Sequence, residues 1–319
     1  MRISRRSLIA GAAATAALPA FARGAGAQGA ATLRVAAAPD DDITPILYGQ
    51  SSGIFRKAGL DVQLQSLSSG SATAAAVAGG SIDIGKSSLM ALISAHARGV
   101  LFKIVAPASV YTEASPIAGL VVAKESAIKS GRDFNGKTVS ASSLKDLIAV
   151  ATQAWIDQNG GDSKEVKFIE IPASAVTAAL EQRKIDGATL VTPALAEALD
   201  SGKAILLGRS FSAIAKRFLV AGWFTTEEYL AKNADNVRRF VAGFREAAAF
   251  TDTHRAETVP LLANYSHLQL ETIRHMVRST AGTVLEARDM QPVIDAAVKY
   301  KVIDKAFPAQ ELIAALPAR

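Results

Sequence analysis

Hydroxyl-bearing clusters beside glycines and helix starts carry the chemistry this chain can do: Ser69-Gly70-Ser71, Ser87-Ser88, Ser142-Ser143 and Thr192-Pro193. No Gly-x-Ser-x-Gly elbow surrounds any of them, so nothing marks a serine as a nucleophile. What they offer is recognition. A hydroxyl donates and accepts, and a glycine lets a ligand approach main-chain N–H groups closely. Each cluster stands where a strand pattern ends, and several open a helix. A helix start attracts carboxylate, sulfonate or phosphate oxygen through unpaired N–H groups and partial positive charge. A serine there also serves as a plain N-cap, so the case rests on several clusters converging. One helix terminus is worth about 0.3–1 kcal/mol, whereas a micromolar ligand needs about 8 kcal/mol. A site built this way has to close over its ligand and exclude water.

Charge qualifies the choice of ligand. Asp40-Asp41-Asp42 follows the first strand pattern. Asp41 and Asp42 near a ligand suit an amino group, an amidine or a pyrimidine and oppose a bare anion. A solvated acidic turn capping the next helix is the equal alternative. Lys86 can offset this acidity or lie exposed. Tyr48, Tyr111 and Trp223 can stack on a planar ligand or fill a core. Tyr111 ranks first because it adjoins Thr112 in the expected hinge. The four histidines, His96, His254, His267 and His275, form no zinc pattern, and cysteine is absent. That removes a thiolate nucleophile, a disulfide framework and cysteine metal sites. No metal, cofactor or phosphate-binding loop is expected.

The elements that must position these residues begin after a leader. Ser4-Arg5-Arg6-Ser7-Leu8-Ile9 precedes an Ala/Gly-rich apolar run from Ala10 to Ala22. Paired arginines before such a run resemble a twin-arginine export signal. Ala25-Gly26-Ala27 predicts cleavage before Gln28, with Ala20-Phe21-Ala22 as a second candidate. The leader is then 1–27 and the mature protein periplasmic. The formal charge is +6, but four arginines and no acid lie in the leader, leaving 31 basic against 29 acidic residues. That near balance excludes the electrostatic footprint of a nucleic-acid binder. No later segment approaches a membrane span.

From Leu33 onward, ten short strand patterns alternate with helical ones: Leu33–Ala38, Asp61–Leu67, Ile82–Ile84, Phe102–Pro107, Ile117–Ala123, Thr138–Ala141, Val166–Ile171, Ala188–Val191, Ala204–Leu207 and Phe218–Phe224. Many lack strict alternation, which suits parallel strands covered on both faces. A helix is predicted over Leu144–Gln158, and Asn159-Gly160-Gly161 ends it. From Thr225 the pattern is helical, including Glu227–Lys232, Asp235–His254, Glu257–Tyr265, Leu268–Ser279, Met290–Tyr300 and Ala309–Leu316. The blocks Leu33–Gly85 and Thr138–Val191 share one order of elements, each with an acidic residue in its later strand. They read as two lobes of related topology, joined near Ser109–Ile117 and Ser212–Phe218. The predicted division is 31–115 in lobe 1, 116–217 in lobe 2, and 218–319 returning to lobe 1 with C-terminal helices.

A resemblance then enters on particular runs. Gly53-Ile54-Phe55-Arg56-Lys57-Ala58-Gly59-Leu60-Asp61-Val62 is followed by Ser69-Gly70-Ser71, an Ala-rich helix, Gly79-Gly80 and Ser81-Ile82-Asp83-Ile84-Gly85. With Asp133-Phe134-Asn135-Gly136-Lys137-Thr138-Val139, Lys184-Ile185-Asp186-Gly187-Ala188 and Thr192-Pro193-Ala194, the chain resembles solute-binding proteins of ABC importers. The branch is the nitrate/sulfonate/taurine and thiamine-pyrimidine-binding one. The likeness spans about Leu33 to Asn264, and its specificity lies in the order of the motifs. It implies an α/β, two-lobed periplasmic-binding-protein fold of type II with a ligand between the lobes. It also implies a monomer that binds a small molecule, partners an importer permease and performs no catalysis. The site residues so expected are Asp41, Asp42, Ser69, Gly70, Ser71, Ser87, Ser88, Tyr111, Thr112, Ser142, Ser143 and Thr192. The alternatives are a ligand-sensing module for a membrane sensor and an enzyme on the same scaffold. The resemblance also extends to a thiamine-pyrimidine synthase that relies on cysteines and histidines, and the absence of cysteine argues against that reading.

Overall fold

The computed structural model describes residues 30–316. The expected twin-arginine leader and its cleavage site lie outside the described residues. Ten strands form, each overlapping a predicted one, though the third lies later than Ile82–Ile84 and the fourth runs past Pro107: β1 (Ala31–Ala37), β2 (Leu60–Ser66), β3 (Ile84–Ser88), β4 (Phe102–Thr112), β5 (Ala118–Ala123), β6 (Thr138–Ala141), β7 (Lys167–Glu170), β8 (Gly187–Val191), β9 (Ala204–Gly208) and β10 (Arg217–Thr226). They make two five-stranded sheets, ordered β2-β1-β3-β10-β4 and β7-β6-β8-β5-β9. In each sheet the first three strands are parallel and the fourth runs antiparallel to its neighbours. That antiparallel strand is the one entering from the other sheet. β5 arrives from β4, and β10 arrives from β9.

Register shows where the strand tips lie. Thr112 at the end of β4 pairs with Arg217 at the start of β10, and Val191 at the end of β8 pairs with Ala118 at the start of β5. The carboxyl ends of the parallel strands therefore gather at the two crossovers. In open α/β sheets this is where ligands sit.

Helices cover both faces of each sheet: α1 (Thr44–Ser51), α2 (Ile54–Lys57), α3 (Gly70–Ala78), α4 (Leu89–Ala97), α5 (Leu147–Gln158), α6 (Ala173–Glu181), α7 (Ala194–Asp200), α8 (Glu227–Thr251), α9 (Val259–Ser266), α10 (Leu270–His275) and α11 (Gln291–Lys299). On the first sheet, α1, the turn before it and α8 bury Ile43, Ile46, Phe240 and Phe244 against Trp223, while α4 and α11 bury Leu92, Ile93, Val293 and Ile294 on the opposite side. The second sheet is clad by α6 and α7 on one face and by Ile156 and Phe134 on the other. Strands covered on both faces need no polar stripe, which explains the continuous apolar runs. The left-handed Gly53 (φ 76°) and Gly59 (φ 72°) bracket α2 and turn the chain into β2, a conformation that side chains disfavour.

The repeat extends to single residues. Asp83 accepts the main-chain N–H of Arg34 in β1 at 2.7 Å, and Asp186 accepts that of Thr138 in β6 at 2.8 Å. Each acid also donates its own N–H to the carbonyl of the same partner. The acidic residue common to both sequence blocks therefore fastens the third strand to the first in each sheet.

The C-terminal third departs from its pattern in three places, one of them Ala309–Leu316, where only a 3-10 turn at Ala309–Leu312 forms before Ile313 pairs with Ile104. The helices predicted over Glu227–Lys232 and Asp235–His254 merge into α8, kinked at Asn233, whose φ/ψ of −129°/29° is non-helical. The helix predicted over Leu268–Ser279 spans only Leu270–His275. Beyond it the chain extends, because Thr280 pairs with Val110 at the open edge of β4 and the Ser279 N–H donates to Asp41 at 2.5 Å. Tertiary bonding overrides local propensity here. Two ties cross between the C-terminal helices and the second sheet's helices. The Tyr300 hydroxyl donates to Asp157 on α5 at 2.9 Å, and His275 on α10 meets Asp200 on α7 at 2.8 Å. Beside the second tie, Ala196 on α7 packs with Leu262, Ile273 and Met276.

Candidate functional site

At the tips of the first sheet, the loop after β2 and the end of β3 come together. Ser69 is the N-cap of α3 and accepts the Ala72 N–H at 3.1 Å, while its hydroxyl lies 2.9 Å from that of Ser71. Ser88 caps α4 by accepting the Ala91 N–H at 3.2 Å. Ser87 differs from both. It is 1% exposed, yet its hydroxyl has no hydrogen-bond partner. A β-carbon at Gly70 would stand 2.6 Å from that hydroxyl, so the two residues frame one narrow space at the start of α3. A buried hydroxyl left unpaired costs free energy, and its place beside a helix N-terminus suits an oxygen-rich group.

The acidic run is occupied from within the protein. Asp42 and Asp40 hold Lys86, with Nζ–oxygen distances of 2.5 and 2.8 Å. Asp41 holds Arg278 (Nε at 2.6 Å) and the Ser279 N–H. Arg278 also donates to the Thr44 hydroxyl at 3.1 Å. Asp41, Asp42, Lys86 and Arg278 are all under 9% exposed. The cationic partners therefore neutralise Asp41 and Asp42, which are no free trap for an amine. Nothing in the sequence signals Arg278, 237 residues away from Asp41.

Burial pushes the Asp42 carboxyl up to about 6; Lys86 pulls against the shift, and the neighbouring Asp40 adds to it. Asp40 is held below the usual range by Lys86. Burial works against the charge on Lys86, but the carboxylates of Asp42 and Asp40 outweigh it and hold its pKa above normal. Because Asp42 binds its proton more tightly folded than unfolded, its contribution to stability is full below about pH 4 and lost as pH rises through 6. The melting temperature is expected to fall between pH 5 and pH 7.5, and Asp42→Asn to flatten that slope. An unchanged slope in a pH series of thermal melts would remove Asp42 as its source.

In the second sheet, Ser142 and Ser143 lie exposed in the loop after β6. The predicted helix start moves from Leu144 to Leu147, because Asp146 is the N-cap. Its carboxylate accepts the Ala149 N–H at 2.8 Å, the Ser143 N–H at 3.1 Å and the Ser142 hydroxyl at 2.5 Å. Glu170 takes the Leu144 N–H at 3.0 Å. The start of α5 is thus filled by the protein's own carboxylates, unlike the start of α3. Burial raises the Asp146 pKa against these hydrogen bonds. Thr192, at the tip of β8, mirrors Ser87: it is 7% exposed and its hydroxyl is unpartnered.

Two of the three aromatic candidates, Tyr111 and Trp223, sit in cores, and Tyr48 is half-buried. Tyr111 is fully buried against Phe211 and Phe218, and its hydroxyl pairs with Ser212 at 2.6 Å, tying one crossover to the other. Its ring offers no face for stacking. Thr112 lies half-buried beside it at the start of the crossover. Tyr48 stacks on Phe250 at 4.2 Å, and Trp223 is fully buried.

The spelling of a phosphate loop, Gly-x4-Gly-Lys-Thr, does occur at Gly131–Thr138, contrary to the expectation that no such loop is present. It leads into β6 instead of joining a strand to a helix. A phosphate loop requires the opposite order, so its phosphate-cradling geometry is missing. Among the described residues, no group of three or more His, Asp or Glu is placed to hold a metal ion, and no helix is long and apolar enough to cross a membrane.

Comparison with known proteins agrees with the fold. The aliphatic sulphonate binding protein SsuA of Escherichia coli superposes with a TM-score of 0.76 at 20% identity, covering 90% of this chain and 93% of that one. The alkanesulfonate-binding protein SsuA of Xanthomonas axonopodis, solved bound to MOPS, gives 0.74 at 15% identity, covering 89% and 98%. The nitrate-binding protein NrtA of Synechocystis gives 0.65 at 13% identity, covering 81% and 74%. At such identities the likeness is one of fold, and it establishes the two-lobed periplasmic-binding-protein architecture. No curated protein matches by sequence. The NMT1/THI5-like family model matches residues 40–258, well over half of the chain, and the chain belongs to that family.

Proposed function

We propose that this chain is an exported receptor that holds a small organic solute between its lobes and presents it to an ABC-importer permease, without catalysis. One observation carries the reading: each lobe has a buried, unpartnered hydroxyl at a strand tip, Ser87 in one and Thr192 in the other. A ligand touching both would stabilise the closed arrangement over the open one. Ser69, Gly70 and Ser71 form the wall at the start of α3, Ser88 its neighbour, and Ser142 and Ser143 the opposing loop. Asp41 and Asp42 shape the first lobe's rim through Lys86 and Arg278, and Thr112 begins the crossover about which the lobes move. With its acids already paired, the rim does not repel an anion as three bare carboxylates would, so sulfonates and carboxylates stand beside pyrimidines as ligand classes. The twin-arginine leader and the near-neutral mature chain fit a monomer working in the periplasm.

The test is a thermal-shift screen of the mature protein against alkyl sulfonates, nitrate, aromatic carboxylates, pyrimidines and amines. A ligand at about 100 times its Kd adds about 2.7 kcal/mol, a clear rise in Tm. X-ray scattering with the hit should show a smaller radius of gyration. Turnover of a hit, or saturation with no compaction, overturns the reading.

A further inference from the structure

A cavity of about 970 Å³ opens beside the first crossover, walled by Ala114 and Ser115 on one side and by α9, α10 and the extended segment that follows on the other. It stands apart from the strand tips, since none of Ser69, Gly70, Ser87, Ser142 and Thr192 lines it. Its size lies at the upper end of the range for small-molecule sites, about 300–1,000 Å³.

Two features of the lining point to one chemistry. Five basic side chains reach it, from Arg255, His267, Arg274, His275 and Arg278, and no Asp or Glu does. Between them lies an apolar wall that includes Val259, Ile273 and Met276. Most of the charge is already matched: Arg278 by Asp41, His275 by Asp200 and Arg274 by Glu271. Arg255 and His267 remain, and Arg255 is the one held in place by side-chain hydrogen bonds. Its guanidinium donates to three neutral acceptors, the carbonyls of Asp252 and Arg278 at 3.3 Å each and the Thr280 hydroxyl at 3.0 Å. The nearby Asp252 carboxylate accepts the N–H groups of Ala281 and Gly282, at 2.9 and 3.1 Å, and attracts Arg255 through space without an ion-pair contact. Half-buried Arg255 is thus fixed in position with its charge not taken up by an ion pair.

We infer that this cavity is a second binding site, for an organic anion with an apolar body. Its carboxylate or sulfonate group meets Arg255, and its chain lies along Val259, Ile273 and Met276. A fixed guanidinium beside apolar surface recognises such a molecule by charge-assisted hydrogen bonds at one end and by burial at the other.

Titration of the mature protein with decanoate tests this, using n-decanol as the uncharged control. Decanoate is expected to bind in a site that survives Gly70→Val, which blocks the strand-tip site alone. Arg255→Gln removes the charge and should weaken decanoate at least tenfold. Ala263→Trp, which takes up part of the cavity beside Val259, should weaken binding. Decanol should bind at least tenfold more weakly than decanoate. If Ala263→Trp does not fold, Arg255→Gln and the decanol comparison still decide. The inference is overturned if decanoate does not bind, if Gly70→Val removes its binding while Arg255→Gln leaves it intact, or if decanol binds equally well.

Discussion

Replacing Arg278 with methionine is expected to cost about 3–5 kcal/mol, the range for breaking a buried ion pair from one side. Arg278 and Asp41 are 6% and 4% exposed and meet at 2.6 Å. Methionine fills much of the arginine's volume, so the loss is chiefly electrostatic. It leaves Asp41 buried with only the Ser279 N–H and the Thr44 hydroxyl for company. For a chain of this size the melting temperature should drop by roughly 10 °C. The double variant Asp41→Leu, Arg278→Met discards both charges and should regain most of the loss, because an apolar replacement of a whole buried pair is often neutral. A single variant within about 1 kcal/mol of the parent, or a double variant no better than the single, would show that this pair does not hold the C-terminal segment to the first lobe.

That pair also marks the limit of what the chain reveals when read linearly. All ten strands were legible, since their Val/Ile/Leu runs are short, bounded by turns and spaced by helices. The lobe repeat was legible for a similar reason: Asp83 and Asp186 hold equivalent positions because the same main-chain bond is needed in each sheet. The segment after α10 was not. Its residues continue a helical pattern, and only the edge of β4 and the Asp41 carboxylate, both distant in sequence, draw it straight. The Asn233 kink was legible as the gap between two predicted helices, although the structure runs them together.

The site was legible by residue type and less so by state. Serines at strand tips are visible in a sequence, but whether a hydroxyl caps a helix or stays unpaired depends on geometry. Ser69 and Ser88 cap, whereas Ser87 does not. The three aspartates were visible, and their cationic partners were not. Aromatic residues near the hinge suit stacking on a ligand and packing in a core equally well by type. Tyr111 packs because Phe211 and Phe218 close on it from the second crossover.

Gly70→Val and Ser87→Ala together test whether the unpaired hydroxyl is kept for a ligand. Gly70 is the first residue of α3, and its backbone lies outside the left-handed region, so valine is sterically possible in the main chain itself. Its β-carbon, however, would stand 2.6 Å from the Ser87 hydroxyl and 3.3 Å from the Ser87 α-carbon. The side chain would occupy the space a ligand oxygen needs. A buried hydrogen bond lost with its partner left unmet costs about 1–3 kcal/mol, so affinity for a hit from the screen should fall roughly 30-fold or more. Ser87→Ala leaves the space and removes only the hydroxyl, and should weaken binding by about 1 kcal/mol, or roughly fivefold. The stability readout runs the other way. Deleting a buried hydroxyl that has no partner should leave Tm unchanged or slightly raised, because the desolvation cost disappears with it. A group that weakens binding when removed, yet costs stability when present, is held for function. If calorimetry finds both variants binding like the parent, the tip of α3 lies outside the ligand's path. If Ser87→Ala instead destabilises the apo protein, the hydroxyl belongs to the structure.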